Sequence, residues 1–285
     1  MSSAKMHDGM FLASGGLPTL GPQAVALFRA LDRQFLRWAE ACGALEKRYP
    51  VLMRVADLAR FDYFRNFPHI ALCTCSIEGG ERASYAGRSA PIADIPARHL
   101  TGADHVLAPA ACYNVYLDYQ DAALDAPLKV TTILECHRNE LHYEGLARLR
   151  GFSMREIVCI GLADEVKRHV AGLKQTVTQF LDALGIPAVV EAASDPFFDR
   201  SSERAVLSRM FPTKEELRYG EVAVASFNFH RNFFGERSGI TRGGEAAFSG
   251  CVAFGVERWI HMLLAHYGEA GQALAALDAA LPRAA

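Results

Sequence analysis

Apolar residues recur at intervals of three and four in two long stretches of the chain, a spacing that predicts amphipathic helices. The first stretch starts at Pro22, and proline is favoured in the first turn of a helix. The second stretch stops at Gly185 and Pro187, two residue types that end helices. Two more helices are expected, one after a glycine-rich loop and one in a tail rich in Ala and Leu. The expected helices cover residues 22–49, about 161–184, about 256–267 and 269–285.

Short apolar runs between these helices predict strands, and the run over residues 128–136 is the clearest because it is rich in β-branched residues. Strands and helices do not alternate regularly, so the predicted fold class is α+β with a mostly antiparallel sheet. Residues 1–20 are expected to be a loose segment, and residues 21–285 a single domain with its core at about 60–267. The expected strands cover residues 69–77, 128–136, 188–191, 221–229 and 251–255.

Composition and charge exclude several classes of protein. The chain has 285 residues with 30 Lys and Arg against 32 Asp and Glu, so it lacks the basic excess typical of nucleic-acid-binding proteins. No apolar run reaches the roughly 18 residues of a membrane span, and the N-terminus does not resemble a signal peptide. The odd number of cysteines, 7, does not fit a disulfide scaffold. These features favour a cytoplasmic enzyme.

Motifs for several common chemistries are absent from the sequence. It contains no phosphate-binding P-loop, no G-x-G-x-x-G after a strand, no H-E-x-x-H and no G-x-S-x-G. Cys73 and Cys75 are separated by one residue and would share a face of the strand expected at 69–77. We expect them to be small buried apolar residues.

Three segments carry the remaining chemistry. A predicted strand ends in Arg138-Asn139-Glu140, and after a turn Phe152 is followed four residues later by Glu156. Near the C-terminus, glycines and small residues run through Cys251 into Glu257-Arg258 at the start of a helix. The third segment contains Cys112. Short motifs of this kind often have a purely structural role, so their order along the chain carries more weight than any one of them.

The first two segments resemble motifs 2 and 3 of class II aminoacyl-tRNA synthetases. The set Cys112, Glu156 and Cys251 resembles the zinc ligands of the atypical seryl-tRNA synthetases and of their shortened relatives, the amino acid:carrier protein ligases. The resemblance covers roughly residues 60–267. It implies a class II synthetase-like core, an antiparallel sheet flanked by helices. It also implies a homodimer, because class II cores pair.

The resemblance assigns roles that fit the residue types. ATP would be the nucleotide substrate, bound with Mg²⁺, and its α-phosphate and the amino acid carboxylate would be held by Arg138. Arg258 would contact the γ-phosphate and one face of adenine, Phe152 the other face, and Glu140 the adenine amino group. Arg150 is a further ATP-binding candidate. Zn²⁺ bound by the two cysteines and the glutamate keeps a fourth tetrahedral position open, which the substrate α-amino group fills in that family.

The expected acceptor of the activated amino acid is inferred from the length of the segment that precedes the family-like region. Only about 50 residues precede it, which leaves no room for a tRNA-binding domain, so no tRNA is expected as partner. The shortened relatives load glycine or alanine onto the phosphopantetheine thiol of a carrier protein, and we expect the same here. Arg204 and Arg209, with Lys214 as an additional candidate, would meet the acidic carrier.

Three alternatives stay open. The chain could be a true synthetase that acylates tRNA, or a fragment of one. It could be a ligase of similar fold that uses another acid, as in asparagine-synthetase-like or biotin-ligase-like enzymes. It could also be a synthetase-like regulatory or scaffold protein that has lost the chemistry, although the intact motif residues argue against this.

Overall fold

A computed structural model describes residues 10–210 and 213–280, apart from the side chains at positions 204, 208 and 209. The helices are α1 (Pro22–Ala41), α2 (Val55–Ala59), α3 (Tyr63–Asn66), α4 (Tyr113–Asp118), α5 (Ala163–Ala183), α6 (Glu203–Met210), α7 (Phe233–Ser238), α8 (Val256–Tyr267) and α9 (Ala270–Ala280). The strands are β1 (Phe11–Ser14), β2 (Leu17–Leu20), β3 (Leu45–Glu46), β4 (Leu52–Arg54), β5 (Cys73–Thr74), β6 (His105–Leu107), β7 (Ala123–Leu124), β8 (Leu128–His137), β9 (Gly151–Gly161), β10 (Val189–Ala193), β11 (Lys214–Tyr219), β12 (Val222–Arg231), β13 (Thr241–Arg242), β14 (Glu245–Ala246) and β15 (Phe248–Gly255).

A seven-stranded sheet forms the centre of the fold, with the strand order β10-β11-β12-β15-β9-β8-β3. Every neighbouring pair in it is antiparallel except β3 and β8. Three smaller sheets, β1-β2, β14-β13-β7 and β4-β6-β5, lie around it. The predicted α+β class with a mostly antiparallel sheet is therefore confirmed.

Helices α1, α5 and α8 cover one face of the large sheet, and α9 packs on α1 and α8 to complete the main core. An aromatic cluster joins them: the ring of Phe35 on α1 stacks on Phe254 of β15 with centroids 4.4 Å apart, and Trp38 and Trp259 pack around this pair. Burial of such large apolar side chains stabilises the layer by roughly 1.5–3 kcal/mol each. The opposite face of the sheet is covered by smaller elements, and the candidate site residues lie on that face.

The N-terminal expectation of a loose segment over residues 1–20 needs correction for its described part. Residues 11–20 form the hairpin β1-β2, whose turn is Gly15-Gly16 with positive φ at both glycines. A Cβ on Gly16 would lie 2.7 Å from the backbone nitrogen of Arg150, so glycine is required for this close approach. The hairpin is thereby fixed against the start of β9.

Helix α1 is shorter than the helix expected over residues 22–49. It begins at Pro22 as predicted but ends at Ala41, where Gly43, at φ 77°, turns the chain into the edge strand β3. The apolar spacing continues past the turn because Leu45 and its neighbours belong to a strand. Periodicity alone did not separate the two elements.

The strand expected over residues 69–77 is wrong for most of its length. Residues 68–70 form a 3₁₀ turn, and only Cys73–Thr74 pair as a strand, at the edge of the small sheet β4-β6-β5. Because β5 is a two-residue edge strand, Cys73 and Cys75 are exposed to solvent, not buried as expected.

The other predicted elements are present with bounds that differ by a few residues. Helix α8 has the predicted bounds, and α5, β8, β10, β12 and β15 match the expected segments. The tail is helical over Ala270–Ala280, and residues 281–285 lie outside the described part of the chain. Among the described residues there is no helix long and apolar enough to cross a membrane.

Candidate functional site

Strand β9 supplies alternate residues to the two faces of the large sheet, as strand geometry requires. Ile157 points into the core beneath the helices, whereas Phe152, Met154 and Glu156 point to the open face. On β12 the same alternation places Ser226, Asn228 and His230 on the open face, and on β15 it places Cys251 and Ala253 there. The candidate residues from distant parts of the sequence therefore converge on one surface.

Two adjoining cavities open on this surface. The first, here called the arginine cavity, is lined among others by Arg138, Glu140, Phe152, Lys214, Glu216, Glu257 and Arg258. The second, the thiol cavity, has a volume of about 610 Å³ and is lined among others by Cys112, Glu156, Asp195, Asn228, His230 and Cys251. Arg138 and Lys214 line both, so the two cavities meet at these cations.

Arg138 lies at the end of β8, directly after the strand. Its Nε donates to the carbonyl of Pro109 at 2.9 Å, and its guanidinium lies over the ring of Phe152, 5.2 Å from the centroid. These contacts fix the orientation of the planar group, which lines both cavities. An arginine held in this way is suited to bind a carboxylate or a phosphate through paired hydrogen bonds.

Arg258 enters the arginine cavity from the first turn of α8. Its Nε donates to the carbonyl of Ala147 at 2.9 Å and its Nη1 to the carbonyl of Ala223 at 3.0 Å. Burial, with the nearby Arg138 as a second cause, lowers the pKa of Arg258 to about 10. The group is still cationic at neutral pH, and its confinement among backbone carbonyls fixes its position.

Glu257 is the buried carboxyl group of the same cavity. Its Oε2 accepts a hydrogen bond from the backbone N–H of Ser153 at 2.8 Å, and only 4% of the residue is exposed. Burial raises the pKa of Glu257 to about 7, because the charged form loses its hydration. The sequence placed Glu257 beside Arg258 in the C-terminal motif but assigned it no role in the site.

Cys112, Glu156 and Cys251 form the chemical centre of the thiol cavity. One ligand atom from each of the three residues lies within 4.8 Å of the others, and all three residues are buried. Glu156 Oε1 accepts hydrogen bonds from the backbone N–H groups of Ala111 and Cys112, at 2.8 and 3.1 Å. The carboxylate is thereby anchored through one oxygen while the other is available to a cation.

This donor set fits a soft divalent cation such as Zn²⁺. The hydrogen bond to Cys251 and burial raise the pKa of the Cys112 thiol well above its usual value. For Cys251 that hydrogen bond lowers the pKa, but burial and the carboxylate of Glu156 outweigh it and raise the pKa. A bound cation would lower the pKa of both thiols, because it stabilises the thiolates. Three protein donors leave a fourth tetrahedral position for another ligand.

His230 and aromatic rings close the thiol cavity beside Cys251. The Nε2 atom of His230 lies 3.8 Å from Cys251 Sγ, and its Nδ1 lies 3.1 Å from the hydroxyl of Tyr116. The ring of Tyr116 stacks on Phe234 at a centroid distance of 4.0 Å, and Phe234 also meets the imidazole edge to face. Phe234 and His230 line the cavity directly, and Tyr116 supports them from behind.

The remaining predicted site residues are Arg150, Lys214, Arg204 and Arg209. Arg150 does not line either cavity; its Nε donates to the hydroxyl of Tyr143 at 2.9 Å, and its backbone N–H contacts the hairpin turn. Lys214, which the sequence suggested for the carrier surface, is instead inside the site, where the two cavities meet. The side chains of Arg204 and Arg209 lie outside the described part of the structure.

Ser226 and Asn228 of β12 were not predicted as site residues. Asn228 donates through Nδ2 to Cys251 Sγ at 3.4 Å, and Ser226 and His230 flank it on the same strand face. The signal was present as polar residues at every second position of a predicted strand, which is unusual for a face that packs on a core. Glu216 carried no such signal, because its position depends on how β11 pairs with β10 and β12.

Comparison with known proteins places these motifs in context. The tRNA synthetase class II core domain (G, H, P, S and T) matches residues 101–267. Amino acid–(acyl-carrier-protein) ligase 1 of Bradyrhizobium diazoefficiens is 35% identical over 232 residues, which cover 76% of this chain and 69% of that protein. Ligase 2 of the same organism is 34% identical over 227 residues, covering 74% of this chain and 66% of that protein.

Among solved structures, the complex of M. kandleri SerRS with A. aeolicus tRNASec contains a chain of similar fold. Its TM-score to this chain is 0.77 at 22% sequence identity, over 94% of this chain and 57% of that one. At this identity the likeness shows the fold alone. The shared architecture and the independently matched family model agree with each other.

Proposed function

Since the chain belongs to the family of tRNA synthetase class II core domains, and within it to the amino acid ligases that are related to ligase 1 and ligase 2, we propose that it activates a small amino acid with ATP and transfers it to a carrier protein. The proposal rests mainly on one observation. The buried group of two thiols and one carboxylate lies in a cavity that joins the arginine cavity at Arg138.

The arginine cavity is the proposed ATP site. Arg138 would hold the α-phosphate and the amino acid carboxylate together, which brings two anions into line and neutralises both. Phe152 and Arg258 would enclose adenine and the γ-phosphate, and Glu140 would accept a hydrogen bond from the adenine amino group. Glu140, Glu216 and Glu257 line this cavity and offer the oxygen ligands that Mg²⁺ prefers.

The thiol cavity is the proposed amino acid site. Cys112, Glu156 and Cys251 would hold Zn²⁺, which supplies a position for the free α-amino group of the substrate. With the amine held there and the carboxylate at Arg138, the amino acid spans the junction of the two cavities. Phe234 and His230 line this cavity beside Cys251, and we propose that a small side chain, such as that of glycine or alanine, fits next to them.

Two steps complete the proposed reaction. The amino acid carboxylate oxygen bonds to the α-phosphorus while the bond to pyrophosphate breaks, giving the aminoacyl-adenylate. The thiol of a phosphopantetheinylated carrier then loses its proton to solvent and attacks the carbonyl carbon, and the bond to AMP breaks as the thioester forms. We propose that Arg204 and Arg209 contact the carrier protein. The chain is further proposed to act as a cytoplasmic homodimer and to use no tRNA as acceptor.

An acceptor assay tests this function. The protein is incubated with ATP, labelled glycine, alanine or serine, and one of three acceptors: a phosphopantetheinylated carrier, the same carrier without the prosthetic group, or total tRNA. We expect label only on the phosphopantetheinylated carrier, in a bond that hydroxylamine cleaves. Label on tRNA would contradict the proposed acceptor. Absence of amino-acid-dependent pyrophosphate–ATP exchange would contradict the activation step.

The metal-bound amine is tested with a matched pair of cysteine variants. Cys112→Ser removes a proposed ligand, whereas Cys159→Ser changes a buried thiol of β9 outside the cluster. We expect bound zinc and exchange activity to be lost in the first variant and retained in the second. Full exchange in Cys112→Ser would remove the metal from the proposal.

A further inference from the structure

Lys214 occupies the boundary between the two cavities. Five residues line both of them, and the shared set is Arg138, Met154, Lys214, Ser226 and Ala253. Only the arginine and the lysine of this set carry a charge. In the proposed reaction the α-phosphate must lie at this boundary, because ATP occupies one cavity and the amino acid the other. Lys214 therefore lies where the reacting phosphorus must be.

The structure holds the ammonium group of Lys214 between two carboxylates, one from each side. Its Nζ lies 3.1 Å from Asp195 Oδ1, in the thiol cavity, and 3.1 Å from Glu216 Oε1, in the arginine cavity. The side chain is only 18% exposed. An ammonium group has three N–H donors, so two contacts leave a third for another acceptor.

The two carboxylates also keep the lysine charged. Burial opposes the charged form, but Asp195 and Glu216 outweigh it and hold the pKa of Lys214 above its usual value. A lysine in this state is not a base for the carrier thiol. It is a fixed positive charge, already desolvated and oriented before substrates bind, which is the arrangement that stabilises charge developing in a transition state.

We propose that Lys214 is a catalytic residue that donates its remaining N–H to a non-bridging oxygen of the α-phosphate, opposite Arg138. This inference rests on the proposed function and deepens it. While the carboxylate oxygen bonds to phosphorus and the pyrophosphate leaves, Lys214 and Arg138 neutralise the five-coordinate phosphorus from two sides. The same contact favours departure of AMP when the thiol attacks, because the charge then returns to the phosphate oxygen. No proton changes place at Lys214 in either step.

The structure offers a matched control for this lysine. Lys174 of α5 pairs with Glu215 at 2.6 Å, and Glu215 is the neighbour of Lys214 on β11 but faces the helix layer. Lys174→Met therefore breaks a lysine–glutamate pair whose glutamate lies on the same strand as Lys214. Neither residue of this pair lines the arginine cavity or the thiol cavity. Lys214→Met has the same chemical change inside the site.

The experiment measures amino-acid-dependent pyrophosphate–ATP exchange and, separately, ATP binding by calorimetry. For Lys214→Met we expect kcat of exchange to fall by about 10²–10³-fold, the loss typical for one donor to a transition-state oxyanion, and ATP affinity to fall at least about tenfold. Lys174→Met is expected to match the parent protein within about threefold. Lys214→Arg, which keeps the charge, should recover part of the exchange rate.

Two further measurements keep the outcomes distinct. If urea unfolding shows that Lys214→Met does not fold, the double variant Lys214→Met with Asp195→Asn is measured instead. The second substitution removes the negative charge that Lys214→Met leaves without its partner. Exchange and ATP affinity equal to those of the parent protein in a folded Lys214 variant would overturn the inference. If the parent protein binds ATP but catalyses no exchange with any amino acid, the proposed function fails, and the ATP affinities alone still decide whether Lys214 contacts the phosphate.

Discussion

Glu156→Gln separates the two roles that the structure gives to one carboxylate. Its Oε1 accepts two backbone hydrogen bonds, from Ala111 and Cys112, and the carboxylate also lies among the ligand atoms of the thiol cluster. Glutamine keeps an oxygen for the two N–H groups. It replaces the second oxygen by an amide that does not bind Zn²⁺, so the variant tests metal binding with the local structure retained.

The magnitudes follow from the hydrogen bonds. A bond to a charged acceptor contributes about 1 kcal/mol more than one to a neutral acceptor, so Glu156→Gln should cost about 2 kcal/mol of unfolding free energy over its two bonds. Glu156→Ala removes the acceptor altogether. It leaves two buried N–H groups without a partner, at roughly 1–3 kcal/mol each, and should cost about 2–6 kcal/mol.

Urea unfolding with and without added zinc measures both effects. The parent protein should gain about 2.7 kcal/mol when free zinc is 100 times its dissociation constant. Glu156→Gln should show little gain at the same concentration and should lose bound zinc on dialysis. Glu257→Gln is the control, because Glu257 is also buried and accepts a backbone N–H but belongs to the other cavity. Equal zinc affinity in the parent protein and Glu156→Gln would refute the assignment of this carboxylate as a ligand.

Two more predictions concern stability. Burial raises the pKa of Glu257 from 4.5 to about 7, so the folded protein holds this proton more tightly than the unfolded chain does. The unfolding free energy should therefore fall by at most about 3 kcal/mol as the pH rises from about 4.5 to about 7. Glu257→Gln should flatten this pH dependence in urea unfolding. The side chain of Arg155 is 1% exposed and pairs with Asp32 at 3.1 Å and with Glu46 at 3.0 Å. Arg155→Met should therefore lower the unfolding free energy by about 3 kcal/mol. A change below about 1 kcal/mol in urea unfolding would show that these ion pairs are not needed for stability.

The elements that the sequence predicted well are those whose local signals agree with their tertiary role. Helix α8 begins after a glycine and is apolar around most of its surface, and its predicted bounds are confirmed. Strand β8 is rich in β-branched residues and is paired along its length with β9. In both cases periodicity, composition and burial point to the same structure.

The errors arise where tertiary contacts decide the local conformation. The apolar run at 69–77 does not form a long strand, because backbone carbonyls at its start accept hydrogen bonds from the loop after β8. Asn139 N–H donates to Ile70 O, and Asn139 Nδ2 donates to His69 O. The hairpin β1-β2 carried a usable signal, since Gly15-Gly16 between short apolar runs is typical of a tight hairpin. Its docking on Arg150 was not visible in the sequence, and this docking explains why Arg150 is outside the cavities.

The site itself could be predicted only in the part that motifs encode. Arg138, Phe152, Glu156, Cys251 and Arg258 follow from motif order, and the structure places them on one surface. Lys214 lies on a strand whose neighbours are fixed by sheet pairing, so its position depends on the order β10-β11-β12, which spacing along the chain does not determine.

Strand β9 explains how the site can hold its geometry before substrates bind. Its residues alternate between the cavities and the helix layer, so Glu156 faces the thiols while the adjacent Arg155 is locked to α1 and β3 through Asp32 and Glu46. A shift of β9 by one residue would place Arg155 among the thiols or, in the opposite direction, Glu156 beside the carboxylates of Asp32 and Glu46. Both placements are electrostatically unfavourable. The salt bridges behind the sheet therefore fix the register that brings Glu156, the proposed metal ligand, and Phe152, the proposed stacking partner of adenine, to the same face.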